Sequence, residues 1–430
     1  MSPQPIQTST PFDIGGSPSK DFLKSKFQGQ SLKGLRTPAF VIDRGVFAEN
    51  CARMQASSRE WGASFRAHVK THKTSEGVKH QLQTSSGNSS AVIVSTLAEA
   101  WGIVNSGLVK DGVVKDILYG LPMAVNKVQD LSDLTKEMGK YGGVIRVMID
   151  HPKQVEFLEE FEKTHGGKWS AFIKVDGGQK RAGVSTQTPQ FKELVAKALQ
   201  SIVVSVYGFY CHAGNAYAST SLPEATDFLS SEVEAVNTAA QMAKCLVKEL
   251  QAPEREDYVL SVGSTPTAHA ASAETKAKLE SLLHGSLELH AGNYPMLDLQ
   301  QLHTSLIPRE RIAQKVIATV ISYYPARGQD GNDEAMCDAG AIALSKDTGP
   351  SGSFGEVVGK AWKVGRISQE HGILTKTSAD AEELELGSTI EVVGQHACLI
   401  AAAYPYYYIV DSSVDGGQTV VDIWVPWKGW

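Results

Sequence analysis

Residues 63–107, ASFRAHVKTHKTSEGVKHQLQTSSGNSSAVIVSTLAEAWGIVNSG, decide the fold. They read as the alternating strand ASFRAHVK, a helix after Thr74, the apolar strand AVIVS and a second helix, LAEAWGIVNSG. A strand, TPAFVID, and a helix from about Arg44 to Trp61 precede them. The same rhythm continues through DILYG, GGVIRVMID, WSAFIKVD, VYGFYCH, YVLSVG and LELHAG. About eight short strands separated by helical stretches predict a (β/α)8 barrel.

After about Ser305 the helical spacers thin out. RIAQKVIATVISYY, EAMCDAG, STIEVVGQHACLI and QTVVDIWVP predict a second, mostly β domain. The expected division is a flexible Ser-, Pro- and Gln-rich lead over residues 1–33, a barrel over 34–305 and a β domain over 306–430, with the first strand, near 37–43, a candidate to join the β domain.

Strict alternation in Phe65-Arg66-Ala67-His68-Val69-Lys70 sends Phe65, Ala67 and Val69 to one face and Arg66, His68 and Lys70 to the other. In a barrel the apolar set faces the helices, so Lys70 points inward at the C-terminal end of its strand, where barrel active sites are built. Crowding by two other basic groups disfavours its ammonium form, as a Schiff-base lysine requires. Lys73 is close in sequence but lies beyond the strand.

Two later segments read as anion sites. Gly263-Ser264-Thr265 follows YVLSV and Gly292-Asn293-Tyr294 follows LELHA, where small residues expose backbone N–H groups to a phosphate. Each alone is equally a turn. Parity in AFIKVD turns Phe172, Lys174 and Asp176 inward, with Arg181 in the glycine-flanked loop beyond. Tyr210 and His212 share parity at another strand end, with Asn215 and Tyr217 just past it. Finally, His396 and Cys398 are i and i+2 on the strand-like stretch EVVGQHACLI. They offer an imidazole and a thiolate suited to zinc, with positions left for water or a substrate hydroxyl.

The chain has 430 residues, 42% of them hydrophobic, and a formal net charge of −6, so it holds a large core and no basic field for nucleic acid. No apolar run approaches the roughly 18–20 residues of a membrane span, and residues 1–20 lack the layout of a secretory signal. The five cysteines are few, odd in number and scattered, which argues against a disulfide framework. A cytoplasmic protein without a membrane partner is expected.

Nine stretches in order, RAHVKTHKT, VSTLAEA, DGGQKRAGV, CHAGNAY, VGSTPT, LHAGNY, CDAG, SQEHG and GQHAC, resemble those of the eukaryotic, fungal-type D-serine dehydratases and the related D-threonine aldolases. The resemblance runs from about Leu35 to Trp430. It implies the alanine racemase-like fold type III of pyridoxal phosphate (PLP) enzymes, a barrel plus a β domain working as a homodimer. It also implies Lys70 as the cofactor lysine, a phosphate held by Gly263, Ser264, Thr265, Gly292, Asn293 and Tyr294, and Arg181 beside the cofactor ring; His68 and Tyr210 join the candidate cofactor site on their strand parity, Tyr210 being equally a packed core tyrosine. His396 and Cys398 match the dehydratase zinc pair, whereas the aldolases tend to place a carboxylate at the second position. Ala67 stands where relatives often show proline, a difference of strand rigidity.

The expected activity is therefore PLP- and zinc-dependent β-elimination of D-serine to pyruvate and ammonia by a lyase. D-threonine aldolase cleavage is the nearest alternative. A metal-independent racemase would need a second base opposite Lys70, and a non-catalytic PLP carrier would need neither the β domain nor the HxC pair.

Overall fold

The computed structural model describes residues 17–253, 257–272, 283–328 and 331–430. They form two compact units, one of Ala52–Gly292 with Trp427–Trp430, the other of Ser17–Cys51 with Asn293–Pro426.

In the first unit, strands Ser64–His68, Ala91–Val94, Asp116–Pro122, Val144–Ile149, Trp169–Lys174, Val204–Tyr210, Tyr258–Val262 and Gly285–Ala291 close into a parallel barrel. The last strand pairs with the first, His290 opposite Arg66. Helices connect the strands, and their starts are written into the sequence. Thr74, Thr96 and Ser221 each accept a backbone N–H of the first turn of the helices at 75–82, 97–105 and 222–250. Val69 and Ala67 are fully buried on the helix-facing side, as the alternation requires.

The second unit is built on a nine-stranded, mostly antiparallel sheet. Its order is 334–337, 372–376, 362–367, 355–357, 389–394, 314–324, 39–43, 407–410, 422–424. Strand 334–337 also pairs with 314–324, so six of the strands form a closed ring. Strand Ala39–Asp43 lies in this sheet, antiparallel to 314–324 and parallel to 407–410.

Two expectations need correction. Of the lead expected over residues 1–33, the described part from Ser17 is folded; residues 1–16 lie outside the described residues. Helix Lys20–Phe27 buries Leu23 with Leu32, Val41, Val420 and Ile423, and Phe27 packs on the rings of Tyr406 and Tyr408. Four-residue spacing of Leu23 and Phe27 is enough to make this polar segment amphipathic. The second unit begins at Asn293, ahead of the expected boundary near 305. Residues 293–305 are tied into it by Asp298, which accepts from the Asn293 side chain at 2.6 Å and from Ala397 N–H at 2.8 Å.

Candidate active site

The barrel interior is layered. Near the N-terminal ends, the buried Arg66 guanidinium places Nε 2.8 Å from Glu288 and a terminal nitrogen 2.7 Å from Asp116, and Asp116 also accepts from Arg146 at 2.7 Å. Above this network Ile93, Leu118, Met148, Phe172 and Tyr210 form an apolar cluster. Two residues further along those strands the chain delivers Ser95, Gly120, Lys174 and His212 to one cavity of about 350 Å³. Lys70, two on from His68, and Gly292, two on from His290, line it as well. Period-2 alternation thus carries six strands from core to cavity in one step.

Of the residues expected here, Lys70, His68, Arg181, Tyr210, Ser264 and Gly292 line the cavity. Gly263 and Thr265 do not line it. The Gly263 N–H is directed to Glu232 at 3.3 Å and its carbonyl accepts from His212 at 2.8 Å, while Thr265 is fully buried. Ser264 is itself braced, donating its N–H to Thr267 at 2.8 Å. A Ser at the N-cap with Thr three residues later closes on its own helix start, so the backbone donors expected for a phosphate are partly engaged internally. Asn293 and Tyr294 belong to the second unit, where the Asn293 side chain donates to Asp298. Asp176, expected inward, instead caps the loop past its strand by accepting from Gly178 and Lys180 N–H. The inward position at that strand end is Lys174, one period earlier.

Three cations, Lys70, Lys174 and Arg181, line the cavity, and no carboxylate is among the described residues that do. Burial, then Arg181 and Lys70, outweigh Cys211 and Asp150 and bring the Lys174 ammonium down to about 8. Its Nζ lies 4.7 Å over the Tyr210 ring. The expected crowding of Lys70 by Arg66 is not what the structure builds, because Arg66 is balanced by its two carboxylates in the lower layer.

The histidines of the cavity are held neutral. Burial first, and then neighbouring cations and rings, push His68 and His290 well below the ordinary imidazole range and His212 to about 3. His212 accordingly donates Nδ1–H to the Gly263 carbonyl, and His290 donates Nε2–H to the Cys211 carbonyl at 3.0 Å. The Tyr210 ring stacks on His290 at 4.2 Å and 5°. His290 carries no signal of its own in the sequence, since in LELHA it stands as a lone histidine on an apolar strand.

His396 and Cys398 also come together, by a different route from the one expected. Strand Thr389–Gly394 ends before them, and Cys398 sits in the first turn of helix Ala397–Ala403 with His396 at its N-cap. The alanine-rich ACLIAAA is a better helix than strand. His396 makes a side-chain hydrogen bond with Cys398, and its Nδ1 lies 2.8 Å from Asp347 Oδ2. Burial opposes the charged ring, but Cys398, Asp298 and Asp347 raise it to about 9. An imidazole, a thiol and a carboxylate on the imidazole's second nitrogen form the kind of pair, with an outer partner, that takes zinc. Among the described residues no group of three or more His, Cys, Asp or Glu side chains converges as a metal cage.

The cavity fits PLP. It offers a lysine amine for the aldehyde carbon, cations for the anionic groups and no carboxylate to oppose them. At Gly292 a Cβ would stand 3.3 Å from His68 Cβ and 3.5 Å from Lys70 Cε, so glycine keeps open the space beside the amine. A parallel barrel with such a lysine cavity, in a chain that also builds an antiparallel β unit, defines the alanine racemase-like class of PLP enzymes. Residues 42–279 match the family model "Alanine racemase, N-terminal domain", and residues 313–410 match "Putative serine dehydratase domain". The chain is 42% identical to the D-serine dehydratase of Schizosaccharomyces pombe over 96% of both chains. It is 36% identical to that of Saccharomyces cerevisiae over 94% of this chain and 99% of the other. The solved D-threo-3-hydroxyaspartate dehydratase from Delftia sp. HT23 superposes with a TM-score of 0.77 at 27% identity, covering 93% of this chain and 100% of that one. A variant of that dehydratase has also been solved in a metal-free form. This chain belongs to the D-serine dehydratase family, PLP-dependent lyases of alanine racemase-like fold.

Proposed function

We propose that this protein is a PLP-dependent ammonia-lyase that converts D-serine to pyruvate and ammonia, with zinc on His396 and Cys398. The observation that carries the site is Lys70 projecting into a cationic, carboxylate-free cavity at the C-terminal mouth of the barrel.

PLP, when bound, supplies an electron-withdrawing ring for the charge that develops at Cα. Lys70 Nζ would be the amine that holds the cofactor and the base that takes the α-proton. Ser264, beside Gly292, and Arg181 are the candidates for the anionic groups of the cofactor. The neutral rings of His68, His212 and His290 with Tyr210 close the floor of the cavity and hold hydrogen bonds without adding charge. His396 and Cys398 would hold zinc, which would supply Lewis acidity for a β-hydroxyl leaving group, and Asp347 would orient the imidazole. Cys398 favours this reading, since a thiolate suits zinc better than the harder metals.

Homodimeric assembly and a cytoplasmic location complete the reading. Exposed Ile342 and Leu399, on the short helices 341–344 and 397–403, give an apolar face for a second copy. Among the described residues no helix is long and apolar enough to cross a membrane. Light scattering that finds an active monomer would remove the dimer. The activity is tested by products. Pyruvate from D-serine is expected, and glycine with acetaldehyde from D-threonine as the dominant reaction would make the chain an aldolase instead.

A further inference from the structure

Lys174 has no part in the reaction as described, yet the fold works to keep it in the cavity. It ends strand Trp169–Lys174, pairs in register with Tyr210 and is buried. Its Nζ sits over the Tyr210 ring, and among the described residues no carboxylate lies within ion-pair distance of it. Among the neighbouring groups Arg181 and Lys70 oppose the ammonium, and Cys211 favours it. Asp150 favours it, but Asp150 Oδ2 is engaged by Gly183 N–H at 3.1 Å. A desolvated cation held between other cations either loses its proton or is stabilised by an arriving anion.

The position of that anion follows from the barrel order. Ser264 and Gly292, the candidates for the phosphate, follow strands 258–262 and 285–291. Strand 204–210 stands between these and the strand that carries Lys174. Lys174 therefore makes a second anion point, one full strand removed from the first. Resting on the PLP reading, the substrate brings its own anion: an amino acid whose nitrogen is tied to the cofactor still has a carboxylate to place.

We propose that Lys174 is the specificity-determining cation that holds the α-carboxylate of the incoming amino acid. It restricts the site to amino acids over amines and amides, and it makes no bond to the cofactor.

The test uses the PLP-loaded enzyme and D-alanine, which lacks a β-hydroxyl and so binds without elimination, followed through the cofactor's visible absorbance. Lys174→Met should load PLP with the wild-type spectrum but bind D-alanine about ten- to a hundredfold more weakly, the range for losing a charge-assisted contact. D-alaninamide, which has no carboxylate, should bind wild type and variant within about threefold of each other, a difference too small for a lost ionic contact. Lys174→Gln gives the same expectation should the methionine variant fail to fold, and Lys174→Arg should recover most of the D-alanine affinity. Equal weakening of D-alanine and D-alaninamide, or no weakening of either, overturns the proposal. So does a changed spectrum before any amino acid is added, which would assign Lys174 to the oxyanion of the cofactor ring. Wild-type protein that takes up no PLP would instead defeat the cofactor reading itself.

Discussion

Lys73 Nζ lies 3.1 Å from Oε1 of Glu99, a carboxylate with no solvent exposure. The pair has a local cause. Thr96 caps helix 97–105 by accepting from Glu99 N–H, and the Glu99 carboxylate accepts from Ser95 N–H at 2.8 Å, so the side chain is fixed where the loop after Val69 brings Lys73. Lys73 is thus committed to a structural charge, whereas Lys70 lines the cavity. Lys70→Ala should lose the visible band of lysine-bound PLP and at least about a thousandfold in kcat, as expected when the base is removed. Lys73→Ala should keep the band but cost about 3 kcal/mol of stability, because Glu99 is left buried and unpaired. Absorbance and denaturant titration separate the two, and a band lost only in Lys73→Ala would reverse the assignment.

The lower layer of the barrel predicts a stability defect without a binding defect. Arg66 joins Glu288 and Asp116, with Arg146 on the other side of Asp116. Burial would raise Asp116, but Arg66 and Arg146 prevail and hold it below the ordinary carboxylate range. Arg66→Met strands two acids in the barrel and should cost about 3–5 kcal/mol. Since the apolar layer of Ile93, Leu118, Met148 and Phe172 separates the network from the cavity, PLP affinity of the folded fraction should change little. A large loss of PLP affinity at full folding would show that the network reaches the site.

Acid lability should trace in part to His72. The ring is fully buried, with Nε2 2.9 Å from Gln81 Oε1 and Nδ1 accepting Thr74 N–H at 3.1 Å. Burial outweighs the Gln81 contact and, with a small push from His80, lowers the ring to about 4. Unfolded chain therefore binds a proton below about pH 6.5 that the fold refuses until about pH 4, so stability falls as pH drops through that window. His72→Gln should flatten this limb in urea titrations between pH 7 and 4. An unchanged slope would place the acid sensitivity elsewhere.

The barrel was legible because its strands alternate, and Phe65 to Lys70 is enough to orient the site. Legibility failed where one residue type serves two purposes. Gly263 reads as a phosphate donor, yet it does not line the cavity and its amide faces Glu232, a partner 31 residues away. No local pattern announces this partner. Lys174 has the inward parity, but nothing in AFIKVD says that the lysine lacks a counter-ion; that depends on which strands surround it. The HxC pair was found through the wrong geometry. Its strand spacing gives way to a helix start, and chemistry rather than backbone shape carried the reading. The polar lead concealed a helix because Leu23 and Phe27 are only two apolar positions among charged ones.

Zinc removal should stop one reaction and spare another. His396 and Cys398 meet at a helix start, and Asp347 holds the second imidazole nitrogen at 2.8 Å, which fixes the ring for a metal on the other side. The β-hydroxide of D-serine is a poor leaving group, and a Lewis acid supplies several kcal/mol at such a step. Chelated enzyme should still bind PLP and D-serine but form pyruvate at least about a hundredfold more slowly, the factor that about 3 kcal/mol of lost stabilisation gives. β-Chloro-D-alanine carries a leaving group that needs no such help, so the metal-free enzyme should still eliminate chloride from it. Asp347→Ala should weaken zinc about ten- to a hundredfold while leaving chloride elimination intact, the usual cost of losing an outer partner. Loss of both reactions on chelation, with fold and cofactor band intact, would mean that zinc positions the substrate as a whole. Loss of neither would make His396 and Cys398 a structural pair, held by Asp347 and Asp298 as the side chains now stand.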